Sequence, residues 1–246
     1  MIFSEQNAGK IRLMAFDLDG TLSNHKQHLP DENKETLRRL AQRYRLLMVG
    51  AGSVARIHEQ MERFPLDIIG NYGMQEGRWD AVTDTLVPVR DESAPVDRDS
   101  VAARITVLRE KYGFLTYAGD SVEFHASGCV TFPIIGTKAV LADKLAFDPD
   151  RSRRRAIYDD VKNTFAEYTV FVGGSSSFDM APAPYDKYYA LDRYCREHGY
   201  AHDEVVFVGD DYGQGGNDEA VFTSDIPFIR VDDFRTFPAA VASLLF

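Results

Sequence analysis

The sequence predicts an α/β protein: a doubly wound parallel sheet carried in two pieces of the chain, with an α+β segment inserted between them. Three observations predict it. Short apolar runs alternate with segments of helical period between residues 13 and 73, the pattern of strands joined by crossover helices. That texture changes after Gly77 to strand-like pieces mixed with long polar helices, and it returns at Asp186. Acidic and small residues collect where the apolar runs end, which is the edge at which an open α/β sheet binds ligands.

The first apolar run, 13–16, reads as a strand. Pro30-Asp31 starts a helix in which Leu37, Leu40, Ala41 and Tyr44 recur at helical spacing. The run 46–49 is a second strand ending in Gly50-Ala51-Gly52-Ser53. Ile57, Met61 and Phe64 mark the next helix, and 66–69 is a third strand ending at Gly70-Asn71-Tyr72-Gly73. From about residue 79 to 177, strand-like pieces at 122–124, 130–134 and 169–172 mix with helices over 97–112 and 150–168. A helix over 186–198, strands over 204–208 and 227–231, and a closing helix over 234–246 restore the opening texture. The expected division is 1–80 and 184–246 for the sheet domain and 81–183 for the insertion.

Composition bounds the function. With 44% hydrophobic and 12% aromatic residues, the 246-residue chain can bury a sizeable core. A net charge of −10 argues against nucleic acid or an anionic membrane as partner. It also requires that local cations or a metal override the global field if the substrate is phosphorylated. Cys129 and Cys195 form no metal or redox spacing, and the N-terminal MIFSEQNAGKIR has no apolar stretch long enough for a signal peptide. The expected location is cytoplasmic.

Asp17 and Asp19 follow the first apolar run two residues apart, so they point the same way as the chain leaves the sheet. Two like charges that close need a cation between them, or one of them keeps its proton. A later run, VVFV, ends in Gly209-Asp210-Asp211 and continues into GQGGND, with Asn217-Asp218. Acids from separate strand ends would make a hard oxygen site for Mg²⁺. A calcium loop over 210–221 fails because Tyr212, Gln214 and Val221 occupy ligand places. A dinucleotide reading of Gly50-Ala51-Gly52-Ser53-Val54-Ala55 lacks the acid ending the next strand, and no P-loop string occurs. Arg151, Arg153, Arg154 and Arg155 read as a solvated face.

The string Phe16-Asp17-Leu18-Asp19-Gly20-Thr21-Leu22 resembles the first motif of the haloacid dehalogenase superfamily of phosphatases and phosphomutases. Within that superfamily the C-terminal third resembles eukaryotic-type phosphomannomutase. The stretch 177–187 parallels SFDVFPDGWDK, 209–222 parallels GDKTMPGGNDHEIF, and Ser243-Leu244-Leu245-Phe246 parallels ELLF. The resemblance implies a Rossmann-like core with an inserted cap. It also implies a mechanism: Asp17 attacks phosphorus, and Asp19 protonates the leaving oxygen and then activates water. Lys187 neutralises the phosphoryl group and the nucleophile. Asp17 and Asp210, with the backbone carbonyl of Asp19, bind Mg²⁺, and Asn217 and Asp218 are further candidate ligands. The second motif falls at 50–53, where Ser53 is the available hydroxyl, although ungapped register with VGGSD puts the family's serine at Gly52.

The departure lies in the cap. Where the family reads FIEFRNGMLNVSPIGR, with arginines for a distal phosphate, this chain has His125 and Thr137, followed by Lys138. Lysine is a point charge and lacks arginine's bidentate fork. His125 and Lys138 are therefore the cap candidates for substrate binding. The expected function is a Mg²⁺-dependent phosphohydrolase acting through an aspartyl phosphate on a small phosphorylated metabolite, a sugar phosphate. The alternatives are a phosphomannomutase and a non-catalytic binding protein on the same fold. The expected partner is the small phosphorylated substrate, without nucleic acid or membrane, and a homodimer through the cap is the open oligomeric expectation.

Overall fold

A computed structural model describes residues 1–245, apart from the side chain of Asn7. Phe246, the last residue of the predicted closing helix and of the ELLF parallel, lies outside the described residues. The chain opens with β1 (Leu13–Phe16), α1 (Asp31–Leu40), β2 (Arg45–Val49), α2 (Val54–Gln60), β3 (Asp67–Gly70), β4 (Gln75–Asp80) and β5 (Thr85–Asp91). Next come α3 (Arg98–Tyr112), β6 (Glu123–Phe124), β7 (Val130–Pro133), α4 (Leu141–Phe147), α5 (Ser152–Arg155), α6 (Tyr158–Thr164), β8 (Tyr168–Phe171) and β9 (Ser177–Pro182). Last are α7 (Lys187–His198), β10 (Val205–Gly209), α8 (Glu219–Phe222), β11 (Phe228–Arg230) and α9 (Phe237–Ala240). The chain divides into two compact units. Met1–Asp91, Asp186–Gly213 and the chain from Asp218 onward form the first, and Glu92–Tyr185 with Gln214–Asn217 form the second.

The first unit holds one sheet in the order β11-β10-β1-β2-β3-β4-β5. From β11 to β3 the strands are parallel, with Leu13 paired to both Val205 and Arg45. Helices cover both faces, so the central strands are apolar throughout rather than alternating. Met14 and Phe16 of β1 pack with Leu37, Leu40, Ile57 and Phe237 on one side. Leu13 and Ala15 pack with Ala190, Leu191 and Tyr194 on the other. The doubly wound α/β architecture is thus present.

Three features of this unit differ from the sequence expectation. The sheet is mixed: β4 runs antiparallel to β3, and β5 antiparallel to β4. The first unit therefore extends to Asp91, whereas the sequence reading opened the insertion at residue 81. The hairpin escaped a hydrophobic-period reading because β5 is an edge strand with most of its side chains exposed. Pro88 is tolerated there, where one side of the strand needs no ladder bond. The predicted closing helix is only the short α9 flanked by single 3₁₀ turns.

The second unit is a four-stranded antiparallel sheet, β6-β7-β9-β8. Val130, Phe132, Phe178, Met180 and Val170 form one face and pack on Val101, Ile105, Leu108, Val161 and Phe165 of the helices. On the alternate rows Thr131 stands beside Asp179. Strand β9 and helix α4 were not anticipated, and the predicted helix over 150–168 is broken into α5 and α6. The arginine run at α5 is not simply a solvated face: Arg154 is 1% exposed. It donates to Asp148 Oδ2 at 2.8 Å and to the carbonyls of Gly173 at 2.6 Å and Ser177 at 3.0 Å. Arg109 is buried in the same manner, donating to the carbonyls of Phe114, Ile134, Ser121 and Pro133 at 2.6–3.2 Å. No described helix is long and apolar enough to cross a membrane.

Candidate active site

Parallel neighbours β1 and β10 end at the same edge of the sheet, and each hands on to a turn that carries acids. Asp17 directly follows β1, and its backbone N–H donates to Val208 of β10 at 2.9 Å. Asp210 directly follows β10. The two turns approach closely because Gly20 adopts φ +100° and has no side chain: a Cβ there would lie 2.4 Å from Asp210 Oδ2. Thr21, the next residue, donates its hydroxyl to Asp210 Oδ1 at 2.8 Å.

Asp218 closes the second turn. Its Oδ2 accepts the backbone N–H groups of Asp210 at 3.1 Å and Asp211 at 3.0 Å, and its own N–H donates to the Asp211 carbonyl at 3.0 Å. Asp17, Asp210 and Asp218 bring carboxylate oxygens within 4.8 Å of one another, the one such acidic or His/Cys group among the described residues. Lys187 enters this trio from the first turn of α7, where the Asp186 carboxylate caps the helix by accepting from Tyr189 N at 2.7 Å. Its Nζ lies 2.6 Å from Asp17 Oδ1 and 2.7 Å from Asp218 Oδ1, and the residue is completely buried. A lysine at a helix start works against the helix dipole. The two carboxylates account for its position.

Charge in the trio is unbalanced: the buried carboxylates of Asp17 and Asp218 and the half-buried one of Asp210 face one ammonium. Burial pushes the Asp17 pKa well above the ordinary carboxylate range; Lys187 opposes the shift, and Asp218 and Asp210 reinforce it. Asp210 is pushed up to about 6, first by burial and then by Asp218. Burial alone would lower the Lys187 pKa, but Asp17 and Asp218 outweigh it and hold the ammonium above its usual value. An all-oxygen, like-charged set of this kind suits a hard divalent cation such as Mg²⁺.

Asp19 stands apart from the trio. Its Oδ1 accepts the backbone N–H of Lys26 at 2.8 Å and Gln60 Nε2 at 2.6 Å, while Oδ2 lies 3.6 Å from Arg56 Nη1. Its carboxylate is thus not among the converged acidic oxygens. Ser53 is the N-cap of α2, its hydroxyl accepting from Arg56 N at 3.3 Å. The Gly52 carbonyl accepts from Asn71 N at 2.8 Å.

The remaining candidates belong to the second unit. Asn217, the residue before Asp218, belongs to that unit. His125 Nε2 is 3.0 Å from Thr131 Oγ1, which donates to Asp179 Oδ1 at 3.1 Å. Thr137 is engaged with Asp120, accepting from its N–H at 2.9 Å, and Lys138 is exposed. Sequence reasoning missed Thr21, Arg56 and Gln60. Residues 53, 56 and 60 share one helix face by their spacing, which is the signal that was available.

Sheet order and the Asp17–Lys187–Asp210–Asp218 cluster define the class at the level of fold: this is a doubly wound α/β protein with a haloacid dehalogenase-like fold. Solved structures agree on the fold. A haloacid dehalogenase-like hydrolase from B. subtilis aligns with a TM-score of 0.62 at 14% identity, over 95% of this chain and 99% of that one. A Plasmodium falciparum IMP-nucleotidase mutant bound to IMP aligns with a TM-score of 0.68 at 17% identity, over 96% and 68%. The family model described as eukaryotic phosphomannomutase matches residues 114–230. Phosphomannomutase of Triticum aestivum is 26% identical over 92% of this chain and 90% of its own length. For phosphomannomutase 1 of Homo sapiens the identity is 26% over 85% and 82%. The chain is thus similar to eukaryotic phosphomannomutases over most of its length and shares its fold with haloacid dehalogenase-like proteins.

Proposed function

We propose that this protein transfers the phosphoryl group of a small sugar phosphate through Asp17, with hexose-phosphate isomerisation of the phosphomannomutase type as the outcome. The observation that carries phosphoryl transfer is the buried contact of Lys187 with Asp17 at 2.6 Å inside a trio of carboxylates. The outcome rests on the names of relatives that match nearly the whole chain. The sequence reading put hydrolysis first; those relatives support isomerisation better.

Mg²⁺ fits the oxygen donor set, and Asp17 and Asp210 would hold it. Both Asp218 oxygens already take N–H donors from Lys187 and the Asp210–Asp211 backbone, so Asp218 positions the others. When bound, the cation supplies charge neutralisation at the phosphoryl group. Asp17 forms the new O–P bond as the bond from phosphorus to the sugar oxygen breaks. Asp19 gives its proton to that departing oxygen and, as a carboxylate, takes a proton from the next acceptor. Lys187 favours the ionised form of Asp17 against its burial and offsets charge gathering in the transition state.

A second reading, phosphohydrolase, is favoured by one observation. His125 and Thr137, standing where the family has arginines, are hydrogen-bonded to Thr131 and Asp120, and neither supplies a guanidinium fork. The deciding experiment supplies mannose 1-phosphate, Mg²⁺ and catalytic hexose bisphosphate, and follows 6-phosphate and free phosphate together. Accumulating 6-phosphate with little phosphate release is expected. Phosphate release without 6-phosphate makes the protein a hydrolase, and neither product in Mg²⁺ removes the enzymatic reading.

A further inference from the structure

Beside the phosphoryl-transfer site lies a guanidinium with no assigned task. Arg56 stands in the first turn of α2, and its side chain is 41% exposed. Its Nη1 donates to Gln60 Oε1 at 3.0 Å and lies 3.6 Å from Asp19 Oδ2. Gln60 is itself 7% exposed and is anchored through its Nε2 to Asp19 Oδ1 at 2.6 Å and Ser23 Oγ at 3.2 Å. A buried amide therefore orients Arg56 and Asp19 together.

Gly52 makes room for this arrangement. A Cβ at that position would lie 2.2 Å from Arg56 Nη2 and 2.3 Å from Nε, so the guanidinium rests directly on bare backbone. Ser53, the other polar residue of the turn, has its hydroxyl taken up in capping α2. Arg56 Nη2 and Nε, in contrast, have no protein acceptor among the described residues. A planar fork of free N–H donors beside Asp19 is matched to oxygens of a phosphoryl group.

We propose that Arg56 is a phosphate-binding residue of this site, its guanidinium standing over Gly52 in the place a serine hydroxyl would otherwise fill. The inference rests on the phosphoryl-transfer reading above. Arg56 supplies a cation on the Asp19 side of the site, in addition to Lys187 on the Asp17 side. It also accounts for local recognition of a dianion by a chain of net charge −10.

The test titrates inorganic phosphate calorimetrically into the full-length Mg²⁺-loaded protein and into Arg56→Ala, Arg56→Lys, Gly52→Ala and the Arg56→Ala/Gly52→Ala double variant. Loss of one charge-assisted donor pair should weaken phosphate binding roughly ten- to a hundredfold in Arg56→Ala, with partial recovery in Arg56→Lys. Gly52→Ala meets the mobile end of a side chain, so it should fold normally, displace the guanidinium and reproduce the Arg56→Ala loss. The double variant should be no worse than either single one, because both act through one contact. Unchanged affinity in Arg56→Ala overturns the proposal, and so do Gly52→Ala and Arg56→Ala losses that multiply in the double variant. If wild type neither binds phosphate nor turns over p-nitrophenyl phosphate, the functional reading itself falls and takes the inference with it. That outcome is distinguishable because all variants are then equally silent.

Discussion

Both units bury charge, and they do so to opposite effect. In the second unit Arg154 and Arg109 are enclosed by acceptors: one carboxylate and four carbonyls for the first, four carbonyls for the second. Of these guanidinium nitrogens only Arg109 Nε lacks an acceptor. In the first unit three carboxylates share one ammonium, and burial raises the pKa of Asp17 and Asp210. Burial thus accompanies a nearly closed network in one unit and an electrostatic deficit in the other. A deficit of this kind is the physical mark of a binding site, whereas a closed network marks architecture.

Breaking the open network at its centre should give the largest effect. Asp17→Asn is expected to lower turnover by roughly a thousandfold or more, while its melting temperature stays the same or rises, because a charge has left a crowded site. Appreciable residual turnover would reduce Asp17 to a metal ligand. Next is Asp19→Asn, for which a loss of roughly 10²–10⁴-fold is expected on alkyl phosphates and much less on activated aryl phosphates, whose leaving groups need no proton. Kinetics on one substrate of each kind measure the split, and equal damage to both would remove the acid role.

The closed network should fail differently. Arg154→Met leaves Asp148 buried without its partner, which typically costs ~3–5 kcal/mol of stability, readable as a lower midpoint in urea denaturation. A midpoint like that of wild type would show that the network is not closed in the way described. The smallest effect sharpens the contrast through pH. Asp210, at about 6 without metal, must lose its proton to act as a ligand, so Mg²⁺ affinity should fall up to about tenfold per unit as pH drops below that value. The sign for stability is the reverse. Between the ordinary value of 3.8 and about 6 the metal-free folded state holds a proton that the unfolded chain has lost. Metal-free stability should therefore decrease as pH rises through that window. Thermal melts with and without Mg²⁺ across it check both signs.

The open network was the more legible half. Asp17, Asp19 and Asp210 sit in short strings at the ends of apolar runs, and local sequence suffices to place them. Lys187 was found by resemblance, but its burial was not readable, since its partner Asp218 lies thirty-one residues away. Arg56 was invisible because its setting depends on an absence, the missing Cβ of Gly52, and on the Gln60 amide one turn further along the helix face. The β4–β5 hairpin carried no apolar period because an edge strand owes little to the core. Arg154 looked solvated for the opposite reason: four neighbouring arginines are alike in sequence, and only folding selects the one that turns inward.

Strand β1 lies between β2, which follows it closely, and β10, whose Val205 pairs with Leu13 across most of the chain's length. A ribosome therefore releases the two halves of the site far apart in time. Until β10 emerges, β1 presents a bare parallel edge, the kind of surface on which nascent chains pair wrongly. Asp17 and Asp19 meanwhile wait without Lys187, Asp210 and Asp218, so the acidic cluster is incomplete until those residues are made. Synthesis of the last quarter completes the sheet and the site in the same event.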